Sequence, residues 1–553
     1  MISSNIIFAQ EKTEEKEKKE KSNKNLPIKP GRFFDLNTDT GSWMSLDVSP
    51  DGQTIVFDLL GDIYSIPISG GKAKRITKGM AFDSHPKYSP NGESIVYVSD
   101  KSGGNNVWIR DLNSNDSIQI TKEKDNQTAF ADWSKDGDYL IVSKGRRNLK
   151  LHMYHKDGGN GVKLIDKPSS LKIVQPEVGI NDRYIWYANR TNSWQYNAGL
   201  PQYQISKYDR ETGDIKRETS RFGSAFTPTL SPDGKSLVYG TRYEDKTALR
   251  IRNLETGYEK WLAFPVQKDD QESQATMGVL PNMAFTPDSK NLILSYGGKI
   301  NKIDINEGKS YEIPFQINET IEVGPELKFD YEISDEKSMI VNQIRNPSVS
   351  PDNKKITFTA LNKLYVMDLD SNQITRLTSF EDETIEAMPN WGPDGKEIVF
   401  VTWNDNIGGS LYKVRSDGKR EPFLLTQSNE RRINGVYMNP RWNPAGDRIV
   451  FTIGDARNYK SSEGPGAFKS NEKIMWISSK GGQLNYISDS KGRSYPHFVD
   501  GKDRIYLFGN SKGLVSIKWD GTDEKNIIKV TGTTLYGSGD TKRPSNASLI
   551  LIS

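Results

Sequence analysis

Four histidines and no cysteine restrict the metal and nucleophile chemistry open to these 553 residues. Without thiols there is no disulfide, no thiolate nucleophile and no cysteine-ligated zinc. His152 and His155 are the close pair. On a helix that spacing puts two metal ligands on one face. Leu151-His-Met-Tyr-His155 reads instead as a strand, which sends the two rings to opposite faces. His85 and His497 each adjoin a proline, Pro86 and Pro496, and are candidate contacts at a channel mouth. Asp35-Leu-Asn37-Thr-Asp39-Thr-Gly41 follows the first half of a calcium loop, but Leu46 stands where the bidentate glutamate is due. Ser410 and Ser494 lack the second glycine of a hydrolase elbow. The lysines after Gly234 and Gly308 lack the leading glycine of a P-loop. The aromatic run Trp194-Gln-Tyr196 is a candidate contact surface. No catalytic, cofactor-binding or metal-ligating residue emerges from these patterns, so the expectation is a chain that binds.

The elements that must carry these residues announce themselves by a recurring turn. Ser49-Pro-Asp-Gly52 returns at Ser89-Pro-Asn-Gly92, Ser134-Lys-Asp-Gly137 and Ser231-Pro-Asp-Gly234. Further copies are Thr286-Pro-Asp-Ser289, Ser350-Pro-Asp-Asn353, Gly392-Pro-Asp-Gly395 and Asn443-Pro-Ala-Gly446. Asn181-Asp-Arg183 and Asp500-Gly-Lys502 are decayed copies. Proline presets the first central φ, aspartate bonds to nearby backbone, and glycine closes the turn. Around each copy the apolar period is two, as in Thr54-Ile-Val-Phe57 and Asp62-Ile-Tyr-Ser-Ile66. Each unit therefore reads as a four-stranded antiparallel blade, and ten units in series as a repeat architecture. A second proline precedes the turn by four residues at Pro86, Pro228, Pro347, Pro389, Pro440 and Pro496. Proline removes a ladder bond, so this is an edge strand, the innermost of its blade. Tyr88, Trp133, Leu230, Val349, Trp391, Trp442 and Phe498, two residues before the turn, are placed to pack between blades.

The fold class is thus all-β: tandem β-propellers of four-stranded antiparallel blades, the second incomplete. Propellers hold about four to eight blades, so one ten-bladed ring is disfavoured. The expected organisation is a signal-peptide remnant at 1–10 and a charged flexible linker at 11–31. A six-bladed propeller at 32–317 and a connector at 318–342 follow. A second propeller at 343–553 is expected to be cut in mid-blade. Lys plus Arg exceeds Asp plus Glu by only 3 charges, which argues against nucleic acid. No apolar run is long enough for a membrane span.

These repeats resemble the TolB-like family of bacterial propellers, distant relatives of WD-type repeats. The resemblance rests on Ser-Pro-Asp-Gly followed by Ile-Val-Phe, on Leu364-Tyr-Val-Met-Asp-Leu369 and on Ile374-Thr-Arg-Leu-Thr378, and covers 42–553. Phe57-Asp-Leu-Leu-Gly-Asp-Ile-Tyr64 and Val401-Thr-Trp-Asn-Asp405 also look like the N-terminal part of large exported bacterial amidohydrolase-family proteins. That resemblance implies a periplasmic location and a parent hydrolase using zinc or another divalent metal in a downstream barrel beginning with His-x-His. It implies no cofactor in this chain. It casts the chain as a non-catalytic module for substrate gating or protein interaction. The partners would be the downstream catalytic domain, an envelope protein, or a peptide or small-molecule substrate. Two alternatives stay open: a free-standing envelope TolB-like binding protein, and the propeller of a prolyl-oligopeptidase-like serine peptidase.

Overall fold

A computed structural model describes residues 30–124, 127–194, 199–244, 246–326, 331–426, 435–456, 472–499, 501–509 and 513–529. The chain divides into two units, Met1–Tyr331 and Glu332–Ser553.

Each repeat forms one four-stranded antiparallel sheet in chain order. In the first unit the blades lie at 46–75, 83–119, 127–163, 172–217, 226–263 and 284–313, and in the second at 344–376, 385–424, 436–489 and 493–528. The turn explains why the first two strands of each blade form. Ser49 donates from Oγ to Asp51 at 2.5 Å, the Gln53 amide donates to the same carboxylate at 3.0 Å, and the Thr54 amide donates to Ser49 Oγ at 2.9 Å. Gly52, at φ 72°, takes the left-handed conformation that closes the loop.

The inner-strand prolines sit at bulges. The residue before each one has positive φ: His85, Gln175, Thr227, Asn346, Met388, Asn439 and Tyr495. The ladder slips there, as between Ser84 and Lys87 or between Met438 and Arg441. Pro176 belongs to this set, but its turn has decayed to Ile180-Asn-Asp182 and hides it from a motif search.

The six blades of the first unit close into a ring. A Cβ on Gly52 of blade 1 would meet the ring of Pro287 in blade 6 at 3.2 Å. Gly92 approaches Pro50 and Gly137 approaches Pro90 in the same way. Asp182 accepts from the Lys135 amide, Gly234 abuts Ile180, and Ser289 accepts from the Asp233 amide. Turn thus touches turn all the way round.

A clasp reinforces the seam between blades 6 and 1. Phe315–Val323 pairs antiparallel with Arg32–Thr38 and parallel with Gly71–Lys72. Leu36, Phe315, Ile317 and Ile321 join one apolar cluster with Phe57 and Tyr64 of blade 1 and Ile293 and Ile300 of blade 6. Arg75 is buried beneath the clasp between Asp62 and Glu322, 2.7 Å from each. One expectation changes here. Residues 318–323, assigned to a connector, belong to the clasp, because Ile321 and Val323 continue the alternation begun at Ile317 and have an apolar seam to cover. Asp35 and Asn37, which match only the first half of a calcium loop, lie in an extended strand, where Asp35 accepts from Thr320 Oγ1 at 2.7 Å.

Candidate functional site

The inner strands of the first unit surround a cavity of about 320 Å³, with the turn residues Pro50, Pro90, Lys135, Ile180, Pro232 and Pro287 at its mouth. Just inside, three residues before each turn position, stand Asp47, Lys87, Asp132, Glu177, Thr229 and Ala284. The inner edge of a blade is narrow, so successive blades bring these side chains together. Lys87 Nζ donates to Asp132 at 3.0 Å and to Glu177 at 2.6 Å. Asp132 also accepts from the Val178 amide at 2.7 Å, and Asp47 from the Tyr88 amide at 2.8 Å.

Three carboxylates thus face one ammonium. Burial pushes Asp47 up to about 7, although Lys87 pulls the other way. Burial likewise raises Glu177, only partly offset by Lys87. Burial alone would pull the Lys87 ammonium down, but Asp132, Glu177 and Asp47 together hold it above the ordinary lysine value. The ammonium lies between Asp132 and Glu177 and is bonded to both. On the rim, the Ser49 hydroxyl and the Gln53 amide hold Asp51 below the usual carboxylate range; Asp136, Asp233 and Asp288 are held down in the same manner.

The opposite end is closed by the segment 266–282 between blades 5 and 6. The Leu46 amide of blade 1 donates to the Asn282 carbonyl at 3.2 Å, and the Trp43 indole just before that blade donates to the Met277 carbonyl. From blade 2, His85 Nε2 donates to the Thr276 carbonyl at 3.2 Å. From blade 4, Gln175 donates to the Leu280 carbonyl and accepts from the Val279 amide. From blade 5, Thr227 Oγ1 accepts from the Leu280 amide. A segment held by four blades must lie across the axis.

His85, expected at a channel mouth, lies instead under this plug at 2% exposure. Its Nδ1 faces Ser45 Oγ at 3.2 Å, its backbone amide donates to Asp58 at 2.8 Å, and its ring lies 4.9 Å from that of Phe130. Burial lowers its pKa to about 4 and pushes that of Asp58 up to about 7. Its Nε2–H donor and Nδ1 acceptor are both used within the fold. His497 is half-buried on the inner strand Arg493–His497 of blade 10, three places before the turn position. His152 is buried on Lys150–His155 and His155 is exposed, on opposite faces as the spacing requires. Trp194 donates to the Arg147 carbonyl at 2.9 Å and stacks with Arg190 and Lys172, while Gln195 and Tyr196 lie outside the described residues. Taken singly, Asp47, Lys87, Asp132 and Glu177 carry no motif. The usable signal was their constant offset from the turn.

Residues 35–198 match the model of the TolB beta propeller domain. The Tol-Pal system protein TolB of Francisella tularensis subsp. tularensis is 31% identical over 280 residues, covering 49% of this chain and 54% of that protein. Tricorn protease homolog 1 of Streptomyces coelicolor is 26% identical over 102 residues, covering 18% of this chain and 10% of that protein. A crystal structure of the tricorn protease covers 86% of this chain and 47% of its own length at 13% identity, with a TM-score of 0.39. The chain therefore spans about half of the TolB relative and a tenth of the tricorn homologue.

Proposed function

The chain carries a TolB-like β-propeller, and from that premise we propose that its first unit is a non-catalytic docking module whose channel receives a cationic segment of a protein partner. One observation carries this reading: the three carboxylates Asp47, Asp132 and Glu177 outnumber the two ammonium groups, Lys87 inside and Lys135 at the mouth, in a cavity that the segment 266–282 closes from behind. The surplus charge is negative, and the four rim aspartates extend it outward. A cavity of about 320 Å³ accommodates a side chain or two, not a folded domain. The closed floor favours capture through one mouth over passage through the ring, so of the two roles the resemblance implies, interaction outranks gating.

An exported location and an amidohydrolase parent are the finer parts of this proposal. Phe57–Tyr64 and Val401–Asp405 support them by resemblance. A His-x-His read from the gene beyond codon 553 would support that parent, and a Gly-x-Ser-x-Gly there would replace it with a serine peptidase.

Calorimetric titration tests the docking role in the full chain. A capped peptide carrying lysines should bind at least tenfold more tightly than its norleucine counterpart, and Glu177→Gln should weaken it severalfold. Equal affinity for the two peptides would overturn the reading.

A further inference from the structure

The second unit repeats the inner-strand register but inverts its charge. Three residues before its turns stand Ser348, Asn390, Arg441 and His497. Arg441 follows the bulge in Val436–Trp442, so its side chain and that of Trp442 leave opposite sides of the strand. Trp442 packs in the apolar cluster between blades 8 and 9. Arg441 therefore faces away from that packing, at the position Lys87 holds in the first unit.

Lys87 has two carboxylates within 3.0 Å. Arg441 has none among the described residues. Among the described residues its side chain makes one hydrogen bond, from Nη1 to the carbonyl of its own neighbour Pro440 at 3.3 Å. Burial pulls its guanidinium down, and no acid restores it. Arginines that serve the fold of this unit are provided for: Arg493 pairs with Glu524 and donates to Ser490 and Asp489 carbonyls, and Arg504 pairs with Asp523. A partly desolvated guanidinium without an anion costs stability. A residue held at such a cost in the lining of a unit is a candidate for ligand contact.

We infer that Arg441 anchors an anion site on the inner lining of the second unit, and that its ligand is a carboxylate of an acidic peptide segment. The guanidinium fork matches a carboxylate with two parallel hydrogen bonds. His497 adds no second full charge. Burial first, and the nearby Arg441 charge, hold its imidazole below the ordinary value, while the Tyr495 carbonyl, 2.9 Å from Nδ1, offsets this in part. One positive charge balances the single negative charge of a carboxylate better than the nearly double charge of a phosphate. Asn390 holds the equivalent place in the neighbouring blade, its Oδ1 accepting from the Trp442 amide at 3.1 Å. This site is independent of the first unit's channel and prefers the opposite charge, so the two readings fail separately.

The test titrates the full chain with a capped Gly-Glu-Gly-Glu-Gly peptide, its glutamine counterpart, and inorganic phosphate. The acidic peptide should bind at least tenfold more tightly than the other two. Arg441→Gln should erase that preference, and Arg415→Gln, which removes an exposed arginine of the same unit paired with Asp417, should preserve it. Equal binding of the two peptides, an unchanged preference in Arg441→Gln, or tighter binding of phosphate would each overturn the assignment. A second readout needs no ligand. Arg441→Met should raise the melting temperature of the second unit by roughly 2–4 °C, the shift expected for about 1 kcal/mol in a unit of this size. A fall of that size would mean that Arg441 holds the fold, and would overturn the proposal.

Discussion

Val48 and Val349 occupy the same place in their repeats, two residues before the turn proline, on the inner strand of the first blade of each unit. Val48 is 8% exposed and Val349 is 50% exposed. The turn that follows each is built alike: Ser350 donates to Asp352 at 2.6 Å and accepts from the Lys355 amide at 2.9 Å, as Ser49 does with its own partners. The difference lies in the neighbour. Val48 shares an apolar cluster with Ala284, Ile293 and Ile300 of blade 6. Among the described residues, no blade takes that role for Val349. A blade of this repeat folds on its local hydrogen bonds and gains its burial from the blade beside it.

Six substitutions probe that separation. Phe315→Ala removes the clasp's largest buried side chain, 5.4 Å from the ring of Phe57. It should cost about 3–5 kcal/mol in the melting transition of the first unit and leave that of the second unmoved. A joint shift in calorimetry would break the comparison. Val48→Ala should cost about 2 kcal/mol, and Val349→Ala less than about 0.5 kcal/mol. Equal losses would mean that Val349 is covered in solution. Ser49→Ala and Ser350→Ala should each cost about 1 kcal/mol, because their hydrogen bonds stay within one blade; unequal losses in denaturant titration would show that the turns also depend on their neighbours. The smallest effect concerns protons. Asp47 rises to about 7 when folded, against about 3.9 unfolded. The folded state therefore binds the proton more tightly, and this group's contribution to stability falls as pH rises from about 4 to about 7. Asp47→Asn should flatten the decline of the first unit's melting temperature between pH 5 and pH 8. A slope identical to that of the parent chain would show that Asp47 titrates normally.

The blades were legible because each turn is a local circuit. Serine, proline, aspartate and glycine set it within six residues, whatever lies beyond. Where that circuit has decayed, at Ile180-Asn-Asp182, Pro176 also dropped out of view. The clasp was not legible, for two reasons. Of Arg32–Thr38 only Leu36 is buried, so the strand carries little apolar signal. Its partner strand lies far along the chain, with Asp35 meeting Thr320 across 285 residues. The channel charges were hidden differently. A lysine or aspartate on a strand ordinarily marks a solvated face, and Lys87 becomes remarkable only when Asp132 and Glu177 arrive from the next two blades. His85 misled for the same reason. Its neighbour Pro86 places it correctly on an inner strand, but no local pattern says that a segment almost 200 residues later will cover it.

The clasp also imposes a timetable. A chain made from its N-terminus exposes Val48 long before Ala284 and Phe285 exist, about 240 residues later. At roughly 5–20 residues per second of synthesis, that is on the order of 10–50 s. Through that interval the first blade presents to water the face that Val48 later buries against blade 6. Arg32–Thr38 likewise waits for Phe315–Val323 before it has anything to pair with. The newborn ring therefore passes through a prolonged stage with an unpaired strand and an uncovered blade, the stage at which a holdase chaperone would have the most to grip.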